Sequence, residues 1–506
     1  MEQHHNTDGW EMPNRDTQPV SFPIGPKELI LALLMFICGL LLCNSVLYGG
    51  FNLGFSIFAS LSLLCTAGYL LWSGCRLTGY SAALLILSLI ILAGFARSND
   101  SFVKFVLMCF LLVSENLGLC LLAGQNRRSP NGISSVLDAP RTLFTLGMGK
   151  CHEAFSGLLQ AFRRSGAVGK KGSAIALGCC IAIPILAILI PLLVSADAAF
   201  DGLLQLLPKR DFSELFSTVV LGVFPSCVLY IRSASLKHCP KEAPLSKTAR
   251  KGISPLTVNT VLIAVALVYG AYLASQLAYF SGGFLGILPE GYTMAQYARR
   301  GFFEMAWLCA INLGLVVLSV GLVAKVDKAP LSTRLLCLFI GIVTLFLVVT
   351  ASAKMFLYIG SYGLTRLRVL TEVIMLWLGI TTLTVSIWLF APKLPYMKAI
   401  LLAGLVIGTS VIWADVDTVV ARYNVSAYRS GRLETVDVAY LSRLGSGAVP
   451  YLQQLTEDQN PEIAQQAKFR LNRRSDAPIE DFREWNYASH IAGKYLPKPD
   501  VVTEQP

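Results

Sequence analysis

Charge is the scarcest property of this 506-residue sequence, because Asp, Glu, Lys and Arg together make up only 14% of it. Soluble domains carry about 25% charged residues, so the composition excludes an ordinary soluble enzyme or binding domain. Histidine is also scarce: there are five, and none of them falls in a long apolar run. This distribution argues against a metal site or a Ser–His pair buried in a membrane.

Catalytic and metal-binding motifs are missing as well. The sequence contains no His-Glu-x-x-His, no Gly-x-Ser-x-Gly and no Cys/His pair with metal-ligand spacing. The last of the 13 cysteines is Cys337, so the carboxyl-terminal tail has none. A disulfide-stabilised exterior is therefore excluded. We predict no cofactor and no metal, and the sequence favours a protein that is not an enzyme.

Long apolar runs are what the chain has in abundance, and its mean hydropathy is +0.59. A helical span needs about 20 mainly apolar residues. Eleven runs come close to that length, which predicts an all-α polytopic transmembrane bundle. The predicted spans are 28–48, 51–72, 79–96, 102–123, 173–196, 213–231, 255–280, 301–324, 335–358, 369–391 and 397–414.

Basic residues are concentrated in alternate connectors. Connector 124–172 has eight Lys/Arg against two acidic residues, 232–254 has six against one, and 325–334 has three against one. The positive-inside rule places these connectors in the cytoplasm, with the amino terminus inside and the carboxyl tail outside. They would meet anionic lipid headgroups at the inner face, which accounts for the high pI without a nucleic-acid partner.

The sequence divides into five segments. Residues 1–27 are polar and expected to be disordered. The other segments are a four-span bundle (28–123), a basic loop (124–172), a seven-span region (173–414) and a soluble helical tail (415–506). In the basic loop, Phe155, Leu158, Leu159 and Phe162 form one apolar helical face. Two interpretations stay open: a helix on the inner leaflet, or a helix that caps the bundle.

The tail is expected to be a small array of helices. Its pattern predicts helices over Thr435–Leu444, Ala448–Leu455 and Phe482–Leu496, with a break at Gly445-Ser446-Gly447. A further helix should begin at Pro461, with Asn460 as its N-cap, and end near Asn472.

Three charged residues fall about one turn inside the predicted outer ends of consecutive spans: Glu304, Lys354 and Glu372. Charged groups in membranes are costly and usually paired or functional. The candidate binding residues are these three together with the neighbouring Arg299, Arg300, Arg366 and Arg368. One interpretation is an outer vestibule that attracts anions. The other is a structural Glu–Lys–Glu network, with arginines that extend to the headgroups.

Glu115 is a fourth candidate, deeper in span four and preceded by two apolar turns. A buried carboxylate of this kind binds a proton or a cation, because desolvation favours its neutral form. The alternative is a hydrogen-bonded carboxyl group that fixes helix packing.

Three stretches of the chain resemble a known bacterial family. They are Pro289–Thr293 with Tyr297–Glu304 and Ile311–Leu313, then Ser352–Met355 with Tyr358 and Tyr362–Arg368, then Ala421–Val425 with Tyr440-Leu441 and Ala448–Pro450. They are similar to a multi-spanning family described only as a domain of unknown function, numbered four-one-seven-three, and to the related four-one-five-three group. The resemblance covers about 255–460, and the first half only in hydropathy. Lys354 departs from it, because Arg is expected there, and Lys cannot make a bidentate fork.

The resemblance implies a bacterial inner-membrane protein with an outward-facing motif set, and it brings no activity. Its tail motif contributes three further candidates, Arg422, Tyr423 and Asn424. From the sequence we expect a cell-envelope sensor, scaffold or assembly partner whose outer tail contacts another protein. The alternatives are an ion-coupled transporter that uses the intramembrane carboxylates, and an enzyme acting on a lipid-linked substrate. The enzyme hypothesis requires a lateral groove beside Glu304 or Glu372.

Overall fold

The computed structural model describes residues 25–126, 128, 136–147, 209–241, 252–283, 302–323, 329–474 and 481–496. Every regular element in these ranges is a helix, which confirms the predicted all-α class. The predicted span 173–196, the apolar face 155–162, and Arg299 and Arg300 lie outside the described residues. The helices up to residue 413 are α1 Pro26–Gly49, α2 Leu53–Trp72, α3 Gly79–Phe95, α4 Ser101–Ala123, α5 Asp138–Arg141 (followed by a π-helical turn, Thr142–Gly147), α6 Lys209–His238, α7 Pro255–Gly283, α8 Phe302–Leu322, α9 Leu331–Tyr362, α10 Arg366–Phe390 and α11 Tyr396–Trp413.

Nine of the described helices are long and apolar enough to cross a membrane: α1, α2, α4 and α6 to α11. Helix α3 is equally apolar but has 17 residues. The chain is therefore an integral membrane protein with many spans. The count of eleven spans stays a prediction.

The spans form two groups that meet at α11. Helices α1 to α4 and α6 share one core, built around Met35, Leu84 and Phe95. Helices α7 to α10 pack in a second group, whose buried residues include Ile340 and Met375. Helix α11 packs against α10 on one side and against α3 and α4 on the other, so it joins the two groups.

Helices α1 and α6 approach each other closely. A Cβ atom added to Gly39 would lie 2.6 Å from the Ser226 Cα atom, and one added to Gly222 would lie 3.1 Å from the Leu40 Cα atom. Glycine at these two positions allows the backbones to come together, as small residues do in membrane helix pairs.

Connectors of alternate spans gather at opposite ends of the bundle. At one end the tail docks: the Tyr487 amide donates to the Ala96 carbonyl at 2.9 Å, and the Leu53 amide to the Trp485 carbonyl at 3.1 Å. At the other end, the Tyr69 hydroxyl and the His238 Nε2 atom lie 3.1 and 3.2 Å from Glu28 Oε1. That the tail end faces outward remains a prediction.

The described part of the tail contains five helices and one 3₁₀ turn, Ser446–Ala448. The helices are α12 Val416–Arg429, α13 Val438–Arg443, α14 Val449–Leu455, α15 Pro461–Asn472 and α16 Tyr487–Ala492. Helix α15 confirms its prediction, with Asn460 Oδ1 accepting from the Glu462 amide at 3.0 Å. The predicted helix Phe482–Leu496 was too long, because residues 483 and 485 use their carbonyl groups to bind the start of α2.

Candidate functional site

Arg366, the first residue of α10, joins three parts of the fold. Its guanidinium group forms a two-point ion pair with Asp417 of α12 and lies 3.0 Å from Asp100, the N-cap residue of α4. Its backbone amide donates to the Tyr440 hydroxyl at 2.9 Å. The Asp417 carboxylate also accepts from the Gly445 amide at 2.7 Å. We call Arg366, Asp100, Asp417 and Tyr440 the Arg366 cluster.

Asn424 of α12 clamps the α9–α10 connector beside this cluster. Its side-chain oxygen accepts from the Leu364 amide at 2.7 Å, and its side-chain nitrogen donates to the Leu364 carbonyl at 2.8 Å. Gly363 has a φ of +75°, and a Cβ atom there would lie 2.6 Å from Asn424 Oδ1. Only glycine allows this turn and this contact together.

An apolar cavity of about 310 Å³ lies below the Arg366 cluster, between α4, α10 and α11. It is where the two helix groups face each other, and proteins commonly bind ligands at such boundaries. Its apolar walls are Phe102, Val103, Val106, Phe110, Leu370, Val373, Ile374, Gly408, Val411, Ile412 and Val416.

A polar chamber of about 130 Å³ adjoins the apolar cavity. Ser98, Asp100, Asp415 and Asp417 line both spaces, so the two are continuous. The chamber is also lined by Asn99, Gly445, Ser446, Gly447, Arg474 and Ala488.

Asp415 lies at the boundary of the two spaces, between α11 and α12. It is the single non-glycine residue with a positive φ (53°) among the described residues. Strained backbone of this kind is concentrated at functional sites. Its carboxylate accepts from the Thr418 hydroxyl at 2.7 Å. Burial raises the pKa of Asp415, while hydrogen bonding from Thr418 lowers it to a smaller extent.

The structure does not join Glu304, Lys354 and Glu372 in one network. No salt bridge between any two of them is present in the described part of the chain. Glu304 is exposed in the first turn of α8. Glu372 faces Ser352 of α9, and Lys354 lies two positions further on, about 200° around that helix. Similar depth was therefore not enough to bring the three together.

Glu372 instead lies in a lateral groove of about 880 Å³ along the α9–α10 seam. Leu345, Phe356 and Leu383 are among its apolar walls, and Ser352, Arg368 and Glu372 are its polar residues. Glu372 Oε1 is buried and accepts no hydrogen bond within the described residues. Arg368 donates to the Gly363 carbonyl and stacks on the Tyr358 ring at 4.1 Å. These two contacts hold the Arg368 side chain against the end of α9 and the α9–α10 connector.

The partner of Glu115 is Arg232, a residue that the sequence had placed in a connector. The Glu115 carboxylate forms an ion pair with Arg232, and the two side chains are 15% and 8% exposed. Arg232 was assigned to the connector 232–254, but α6 continues to His238, so this residue is inside the helix. An ion pair of this kind neutralises the charge on which a cation-binding role for Glu115 depends.

The tail motif divides between surface and interface. Arg422 is exposed and Tyr423 is half-buried, whereas Asn424 is the buried clamp on Leu364. Sequence reasoning missed Asp100, Asp415 and Asp417. The signal was present, because Asp415 and Asp417 follow the last apolar run directly and Asp100 precedes another one. Among the described residues, no group of three or more His, Cys, Asp or Glu is arranged to hold a metal ion.

Comparison with known families decides the relationship. The family model described as Domain of unknown function (DUF4153) matches residues 29–455. The chain belongs to this family. Of the two groups that the sequence resembles, the match is to four-one-five-three, which was named as the related one. The match also covers the first half of the chain, where the resemblance was in hydropathy alone. A comparison with curated proteins and one with solved structures each found no match.

The Glu115–Arg232 pair should behave as a buried pair in a double-mutant cycle. We expect Glu115→Leu and Arg232→Leu each to lower the free energy of unfolding by about 3 kcal/mol, because each leaves an uncompensated charge. The double variant should lose much less than the sum. Unfolding of the purified protein in detergent measures all four values. Small, additive losses would contradict the pairing.

The raised pKa of Asp415 makes stability depend on pH. The folded carboxyl group binds its proton more tightly than the unfolded one, whose pKa is about 4. The free energy of unfolding should therefore decrease as pH rises from about 4 through the raised pKa. Asp415→Asn should remove this component, so its melting temperature relative to wild type should rise with pH. Glu457→Gln, at an exposed tail position, is the control, and a difference independent of pH would contradict the assignment.

Proposed function

We propose that this family member is a cell-envelope sensor or scaffold of the bacterial inner membrane, with its tail as a rigid extracytoplasmic contact surface. The single observation that carries the proposal is the Arg366 cluster, which couples the tail to α4 and α10. A tail held in this way moves with the spans, so that a contact made by the tail is transmitted to the bundle. A flexibly tethered tail would not act in this way.

The tail surface also offers contact residues. Phe469 of α15 is 54% exposed, and the Arg473 guanidinium carbon lies 4.9 Å from the centre of its ring. Phe482 and Tyr495 are exposed as well. Aromatic residues and arginine are enriched at protein interfaces, which supports a protein partner for the tail. The basic connectors at the opposite end are proposed to meet anionic headgroups.

One observation favours the enzyme alternative. The groove beside Glu372 has the position and the apolar walls that a lipid-linked substrate requires, and its carboxylate would act as a general base. The transporter alternative has less support, because Glu115 is neutralised by Arg232 and the three outer charges are not assembled.

Photo-crosslinking in intact cells separates these functions. A photoreactive phenylalanine at Phe469 should give a discrete protein adduct, because a scaffold tail remains in contact with its partner. The control position is Trp307, 71% exposed on α8, where lipid adducts alone are expected. Absence of a protein adduct at Phe469, Phe482 and Tyr495 would overturn the proposal. A lipid-linked adduct at Phe356 that Glu372→Gln abolishes would favour the enzyme.

A further inference from the structure

The apolar cavity and the polar chamber together have the form of a site for an amphiphile. The cavity is walled by apolar side chains of α4, α10 and α11 with Val416 of α12, and its charged residues are confined to the end next to the chamber. An apolar chain and a polar headgroup on one molecule would each meet a matching surface. This site is separate from the tail surface proposed above to contact a protein.

The cavity is partly open, since Phe102 and Ile374 of its walls are exposed, and it has room for a ligand. At about 310 Å³ the cavity is roughly ten times the volume of one water in the liquid, about 30 Å³. Its wall on α4 runs from Phe102 to Phe110, a rise of about 12 Å. A single alkyl chain fits such a space, and water gains little there, because the walls offer it few polar partners.

The charged residues at the end of the cavity next to the polar chamber determine which headgroup fits there. Three aspartates and two arginines line the two spaces together. Arg366 is engaged by Asp100 and Asp417. Asp415 forms no ion pair within the described residues, and its carboxylate accepts a hydrogen bond from the Thr418 hydroxyl. A carboxylate with acceptor capacity left over, at the mouth of an apolar cavity, suits an ammonium group.

The surroundings hold Asp415 in position for this contact. Gly447 lies against it, and a Cβ atom on that glycine would meet Asp415 Oδ2 at 2.3 Å, so no side chain intrudes there. Asp100 and Asp417 are paired with Arg366, and the Arg474 guanidinium donates to the Leu444 carbonyl at 2.6 Å, so Asp415 is the carboxylate at the mouth that has no ion pair within the described residues.

We propose that the cavity between α4, α10 and α11 binds an amphiphile with an alkyl chain and a primary ammonium headgroup, the ammonium paired with Asp415. The chain lies against Val106, Leu370 and Val411, and the headgroup occupies the polar chamber. Each buried methylene group should contribute about fourfold in affinity.

Binding of dodecylamine to the purified full-length chain tests the proposal, with bound molecules counted by native mass spectrometry. Wild type should bind dodecylamine at least about tenfold more tightly than dodecanol or dodecyl phosphate, because the ammonium group makes a charge-assisted contact. Asp415→Asn should abolish this preference and leave the fold intact, since asparagine tolerates a positive φ. Val106→Phe, which fills the cavity, should weaken binding of dodecylamine and dodecanol alike.

Glu457→Gln removes a tail carboxylate that lines neither space, and it should bind dodecylamine as wild type does. Melting curves establish that each variant is folded. Three results would overturn the proposal: unchanged dodecylamine binding in Asp415→Asn, equal affinity for dodecanol in wild type, or tighter binding of dodecyl phosphate.

Two sources could supply the ammonium amphiphile, the bilayer or the aqueous phase. The protein in nanodiscs of phosphatidylethanolamine, compared with phosphatidylcholine, distinguishes them. If dodecylamine binding is lost in phosphatidylethanolamine nanodiscs but kept in phosphatidylcholine nanodiscs, a membrane aminolipid competes for the site and is its ligand. Equal binding in both supports the site with a ligand taken from the aqueous phase.

Discussion

The guanidinium group of Arg366 is the contact on which the arrangement of this protein depends. It pairs with Asp417 of the tail and with Asp100 at the start of α4, while its own helix, α10, belongs to the second helix group. A planar guanidinium group can hold one carboxylate with two donors and still reach another, whereas a lysine ammonium cannot. Arg366 therefore holds the tail and both helix groups together. Beside it, the two hydrogen bonds between Asn424 and Leu364 attach the tail to the α9–α10 connector.

The cavity lies beside the Arg366 cluster, where α4, α10 and α11 meet. The two helix groups meet along α11, and the α4 and α11 walls of the cavity adjoin the first group's core, to which Ile412 belongs and against which Val103 and Phe110 pack. The Phe110 ring occupies the space that a side chain at position 408 would need. The ring and Gly408 form the end of the cavity that lies farthest from the Arg366 cluster. The Arg366 cluster and Asp415 line the other end, which is continuous with the polar chamber. The boundary between groups is thus apolar over most of its depth and polar at the tail.

The sequence was a good guide where one physical rule dominates. Apolar length predicted the helices of the bundle, and the Asn460-Pro461 pair predicted the start of α15, because capping is a local interaction. It was a poor guide where partners come from distant segments. Glu115 and Arg232 are 117 positions apart, and Arg366 and Asp417 are 51 apart, so no spacing rule connects them. Similar depth suggested that Glu304, Lys354 and Glu372 would meet, but no salt bridge between any two of them is present among the described residues.

Hydrogen exchange across the Arg366 cluster tests most directly whether one guanidinium group fixes the tail. In Arg366→Leu we predict faster exchange in α12 and α13 and at the first turn of α4, with the α1–α6 contact unchanged. Arg366→Lys should fall between Leu and wild type, because it keeps the charge and loses the two-point geometry. Arg368→Leu, which removes an arginine bonded to its own connector, should leave tail exchange as in wild type. Tail exchange in Arg366→Leu that matches wild type would contradict the account.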